Sequence, residues 1–298
     1  TEVAAGLRLL RWLRLILTLA VAGERARAIV VLADGAYSVA PMLVGLPRDC
    51  WLIARCAKNR ALFALPEPHP PRRGRKRRYG PQGKTPQHTL QQRTGWTTIT
   101  LPVRGRERTL RAMMTGPWVV RGAADQPVML VVVQGVKRGS RTTRRQRDPQ
   151  YFLVSAVPQA DGTWDAPLSL TTILQWAWQR WEVEVMHREL KSGFGLGQSY
   201  AWTPSGMQTT TRWVLWSYAL VILTAYQHWR LGSPAGGMVG RWHTPRRWSV
   251  GRAMQQLRAE LWQLPEFSPR WSQPPNAYAE IAAWWTTQTT AVLGQRRL

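Results

Sequence analysis

Two cysteines, five histidines, four phenylalanines and only 16 acidic residues are found in a chain of 298. Each shortage closes a possibility. Cys50 and Cys56 stand six residues apart on what reads as one extended segment, too far apart along one face to bridge. No disulfide framework is expected, and a reducing compartment follows. The histidines, His69, His88, His187, His228 and His243, are too scattered for a zinc site, and no Ser/His/Asp order stands out. No apolar run reaches the roughly 18 to 20 residues of a membrane span. Set against 41 Lys and Arg, the few carboxylates leave a formal net charge of +25. That excess goes beyond what solubility requires and suits a polyanionic partner, nucleic acid first; a general drift of composition towards arginine is the bland alternative.

What is present is apolar enough, at 44% hydrophobic, to bury one large core or a core with an inserted subdomain. Arg8, Arg11 and Arg14 recur every three residues beside Leu9, Leu10, Leu13 and Leu17, which predicts an amphipathic helix. The same stretch, ending in Ala20-Val21-Ala22, has the outline of a secretory leader, the lesser reading. Ala28 to Ala33 is a short apolar run that reads as a buried strand, stopped by Asp34-Gly35-Ala36-Tyr37. Ser38 is placed to cap a short helix through about Leu46, and Cys50 to Cys56 reads as a second buried strand. This alternation predicts an α/β layer arrangement with a mainly parallel sheet. Pro66 to Pro86 is a proline-rich, basic linker or arm. Thr97 to Ala156 holds short β-rich segments that read as an inserted β subdomain, and from Leu168 the pattern is helical. One long helix is expected from Leu170 to about Ser192, an apolar one from Arg212 to Leu231, and a third from Val250 to Leu264. The divisions expected are 1–58, 59–167, 168–232 and 233–298.

Two places carry chemistry. Asp34 stands where a buried strand ends, so its carboxylate can project into a cleft while the sheet fixes its backbone; alone, it reads more readily as a turn residue helped by Gly35. On a helix, Arg180, Glu184, Arg188 (or His187) and Lys191 share one face, beside an apolar stripe of Val183, Met186 and Leu190. Alone, this reads equally well as a solvated salt-bridge ladder. Glu182 points nearly opposite Glu184, and Glu189 lies off its face, which excludes both as partners of Glu184. Arg75, Lys76 and Arg77, in the block from Arg72 to Arg78, are positioned to track a phosphate backbone, with Lys137 to Arg147 as a second basic cluster. Gly193 to Gly197 follows a helix instead of leading into one, so it reads as a terminating turn and not as a nucleotide loop. Of the 18 tryptophans, Trp213, Trp216 and Trp229 are expected in a helical core, ahead of base stacking.

Taken together, the Asp34-Gly-Ala-Tyr37 turn and the later Arg180-x3-Glu184-x6-Lys191 resemble the Tyr-x2-Arg-x3-Glu-x6-Lys signature of insertion-sequence DDE transposases of the cut-and-paste type. The resemblance implies an RNase H-like core interrupted by a β-rich insertion and followed by a helical C-terminal region. It implies Asp34 and Glu184 as catalytic metal ligands for a Mg²⁺ or Mn²⁺ pair, and Arg180, Lys191 and Arg188 as phosphate contacts. It further implies DNA as partner (transposon ends and target), a homodimer acting on paired ends, no membrane, and a cytoplasmic, nucleoid-associated location. The signature's tyrosine position is Ala177, with Trp176 and Trp178 on either side. Before Asp34 the only carboxylates are Glu2 and Glu24, so the family's first aspartate has no counterpart. N-terminal truncation and poor binding of the metal pair are therefore expected. A catalytically inactive DNA-binding remnant is the alternative.

Overall fold

The computed structural model describes residues 1–20, 28–66, 77–103, 106–135, 148–198, 201–230 and 249–263. The chain divides into two compact units, Thr1–Arg180 and Trp181–Leu298.

The first unit contains α1 (Glu2–Ala20), β1 (Ile29–Ala33), a single 3-10 turn (Gly35–Tyr37), α2 (Ala40–Gly45), β2 (Cys50–Arg55), β3 (Phe63–Ala64) and α3 (Pro86–Thr89). It continues with β4 (Thr97–Val103), β5 (Arg106–Val120), β6 (Ala123–Val133), β7 (Gln150–Ser155), the small hairpin β8 (Val157–Pro158) and β9 (Trp164–Asp165), and α4 (Leu170–Gln179). Seven strands form one sheet in the order β1-β2-β7-β6-β5-β3, with β4 also on β5. Among the described residues only β1 and β2 run parallel; every other pairing in the sheet is antiparallel. This corrects the expected mainly parallel sheet. A continuous apolar run reports that both faces of a strand are covered, whichever way its neighbours point. The β-rich stretch after residue 97 hydrogen-bonds into the same sheet as β1 and β2, through β7 on β2.

Alternation along the strands feeds two cores. Leu52, Ala54, Leu130, Val132, Tyr151 and Leu153 face one side, with Leu7 of α1 and Met42 and Leu43 of α2. Ile53, Met129, Val131, Phe152 and Val154 face the other, with Ile173, Leu174 and Ala177 of α4. The result is three layers, helix on sheet on helix. β5 turns into β6 through Arg121-Gly122, with Val120 opposite Ala123. Gly122 has φ +89, and a Cβ there would lie 3.0 Å from that of Ala40, so glycine is required on both counts.

Local expectations hold in part. β2 and β4 fall where the apolar runs place them, and both cysteines are free thiols. β1 is only half-buried up to Ala33, because among the described strands it forms one end of the order and has a neighbour on one edge alone. Ser38 does not cap α2. Val39 takes that place with Pro41 in the first turn, while the Ser38 hydroxyl donates to the Gly35 carbonyl at 2.7 Å and closes the preceding turn.

The second unit contains α5 (Trp181–Gly193), α6 (Pro204–Trp229) and α7 (Val250–Gln263), packed around Leu190, Val214, Tyr218 and Val250. The single helix expected from Leu170 to Ser192 is two helices, ending and restarting at Arg180. Trp213 and Trp216, expected in the core, are 74% and 67% exposed. α6 packs through Val214, Tyr218 and Ala225 instead, and the smaller of its two apolar stripes is the buried one. Among the described residues, no helix is long and apolar enough to cross a membrane.

Candidate active site and DNA contacts

Asp34 sits immediately after β1, at the carboxyl end of the parallel pair. With Ala33 opposite Ala54, the residues leaving the two strands side by side are Asp34 and Arg55, both exposed. Carboxyl ends of parallel strands are where α/β sheets present reactive groups, since side chains there project beyond a rigid hydrogen-bonded edge. The Asp34 carboxylate accepts from the Gly35 N–H at 2.8 Å, and its backbone carbonyl accepts from the Tyr37 N–H at 3.0 Å. These bonds orient the side chain without burying it. Arg55 was missed by sequence reasoning: it ends an apolar strand, and only the register with β1 brings it beside Asp34. At the opposite, amino end of the pair, the guanidinium of Arg14 of α1 bonds Asp49 at 2.9 Å just before β2.

Glu184 lies in the first turns of α5 and is exposed. His187, Arg188 and Lys191 follow at spacings of three, four and seven and share its face, all exposed, as the sequence pattern requires. Glu182 and Glu189 lie on the other side of the helix. Glu189 is engaged elsewhere: the Tyr218 hydroxyl of α6 donates to its Oε2 at 2.9 Å. Burial pushes the Glu189 carboxyl above the usual range, offset in part by the Tyr218 bond and by Arg188. Burial, then the bond to Glu189, also raises the Tyr218 hydroxyl. The sequence could have pointed to Glu189 as a structural group only through its position off the Glu184 face.

The structure thus groups Glu184, His187, Arg188 and Lys191 on one helix in the second unit, and Asp34 with Arg55 in the first. Arg180 is the last residue of the first unit, at the end of α4. Arg77 is exposed; Arg75 and Lys76, like the cluster from Lys137 to Arg147, lie outside the described residues. The turn after α5 is as expected, with the Leu196 N–H donating to the Leu190 carbonyl at 2.9 Å and Gly195 and Gly197 at positive φ. Among the described residues, no group of three or more His, Cys, Asp or Glu is placed to hold a metal ion. The donor chemistry is nevertheless suitable. Asp34 and Glu184 are exposed, hard oxygen donors of the type Mg²⁺ and Mn²⁺ prefer.

The layered sheet with an aspartate at the end of its parallel pair is a mixed α/β arrangement consistent with a nuclease-like fold. Residues 7–115 match the family model described as DDE superfamily endonuclease. The match runs from α1 into β5 and so includes Asp34 and Arg55, but not Glu184. It supports a nuclease or transposase-like function with DNA as the substrate class, and domains of this type generally use divalent metals. Comparison with curated proteins finds no match.

Proposed function

We propose that the chain acts in metal-dependent phosphodiester cleavage and strand transfer at transposon ends. The observation that carries the reading is Asp34, held at the carboxyl end of the one parallel strand pair, inside the stretch that matches the endonuclease family. Asp34 and Glu184 would each supply carboxylate oxygens to Mg²⁺ or Mn²⁺. When bound, such ions activate the attacking oxygen and stabilise the leaving one. Arg188 and Lys191 share the Glu184 face and hold phosphates there, with Arg180 just ahead of α5. Arg77 contributes charge along the backbone, as do Arg75 and Lys76 in the same basic block. The net charge of +25 provides the long-range attraction, and its signature is a steep fall of affinity with salt. A homodimer acting on paired ends and a cytoplasmic, nucleoid-associated location belong to the same reading, as does an insertion-sequence origin.

The test is Mn²⁺-dependent cleavage of a labelled transposon-end duplex. It compares this chain, a version carrying any in-frame sequence upstream of Thr1, and both with Glu184→Gln or Asp34→Asn. Cleavage by either parent that both substitutions abolish, with DNA binding retained, is the expected outcome. Binding without cleavage in every parent would replace this reading with an inactive DNA-binding remnant.

A further inference from the structure

α6 has two apolar faces, and among the described residues only one is buried. Val214, Tyr218 and Ala225 are buried. On the other side Thr209, Trp213, Trp216, Leu220, Leu223 and Gln227 are all exposed, at successive spacings of four, three, four, three and four residues. This is the spacing of a coiled-coil seam, which fits another α-helix. At 1.5 Å per residue it extends for about 27 Å.

We propose that this seam is covered by the same seam of a second copy, running antiparallel. The residue order is self-complementary about position 218. Antiparallel pairing sets Thr209 against Gln227 of the other copy, Trp213 against Leu223, and Trp216 against Leu220. Each tryptophan meets a leucine and each polar end meets a polar end, as a two-fold interface requires. A parallel pair would instead stack tryptophan on tryptophan. The seam is also where charge opposes such pairing least. Two chains of +25 repel over most of their surfaces, yet Arg212 is the only charged side chain of α6. Antiparallel pairing also sets the two Arg212 at opposite ends and opposes the helix dipoles.

The inference deepens the homodimer of the proposed function and rests on that reading for why two copies meet. Sedimentation and thiol cross-linking use neither DNA nor metal, so loss of one reading leaves the other standing. Sedimentation of the native chain should show the mass rising to that of a dimer with concentration. Leu220→Glu, at an exposed position, should keep the helical signal and stay monomeric. Mixing Trp216→Cys with Leu220→Cys chains and oxidising them should give the mixed disulfide in excess over either like pair. Thr211→Cys, exposed but off the seam, should give none. The natural thiols compete poorly, since Cys50 is buried and burial pushes Cys56 up to about 12. A native chain that stays monomeric at every concentration, or an oxidised mixture without excess mixed disulfide, overturns the proposal. So does a monomer whose tryptophan fluorescence responds instead to oligothymidine or to anionic vesicles.

Discussion

The two units handle apolar surface in opposite ways. In the first, strands β6 and β7 send successive side chains into one core and then the other, and Leu130, Leu153, Val131 and Val154 are fully or almost fully buried. In the second, α6 leaves Trp213, Trp216, Leu220 and Leu223 exposed while Leu190 and Tyr218 anchor a small cluster. The difference separates stability from engagement. A sheet covered on both faces holds Asp34 at a rigid edge, whereas the three described helices of the second unit present Glu184 on an exposed helix face and leave the seam of α6 exposed for a partner.

The contrast is broken most severely by truncating a side chain in each unit. Leu153→Ala leaves a cavity between sheet and helices and should cost about 2–5 kcal/mol in denaturant unfolding. Leu220→Ala, measured at a dilution where copies do not meet, should stay within about 0.5 kcal/mol of the parent. Equal losses would mean that α6 is as closely packed as β7.

A smaller effect is expected from Tyr218→Phe. It removes the hydroxyl that donates to Glu189 and leaves a half-buried carboxylate short of one partner, so α5 and α6 should lose about 1–3 kcal/mol. Urea unfolding followed by tryptophan fluorescence reads this, and an unchanged midpoint would deny the bond a structural role.

The smallest effect is a dependence on pH. Because burial raises the folded Glu189 carboxyl, it is neutral in both states well below the ordinary carboxylate value and costs nothing there. As pH rises, the unfolded carboxyl ionises first, so stability falls from that point up through the raised folded value and stays lower at neutral pH. Glu189→Gln removes the titration while keeping an acceptor for Tyr218. Its stability relative to the parent should therefore increase from acid to neutral pH, and a difference constant with pH would contradict the burial argument.

Much of this was legible in the residues. Asp34 at the end of an apolar run, the limits of β2, the exposed face of Glu184, Arg188 and Lys191, and the turn after α5 all follow from periodicity and turn chemistry. Strand direction was not, because apolar runs encode coverage and not polarity. The break at Arg180 was also invisible. Gln179-Arg180-Trp181 contains no glycine or proline, and the helix divides because Ile173 and Leu174 belong to the sheet's core while Leu190 belongs to that of α6 and α7. The tryptophans of α6 read as core because they share a helix with Leu215, Leu220, Ile222 and Leu223. With apolar residues on both faces, the sequence could not say which face its own unit would use.

The proposal that Asp34 and Glu184 are the metal ligands is most directly tested by replacing Mg²⁺ with Fe²⁺ under ascorbate and peroxide and mapping where the polypeptide itself is cut. The account predicts breaks near both Asp34 and Glu184, suppressed by excess Mg²⁺ and lost at either place on Asp34→Asn or Glu184→Gln. Breaks at neither place, or breaks that ignore Mg²⁺ and both substitutions, would contradict it.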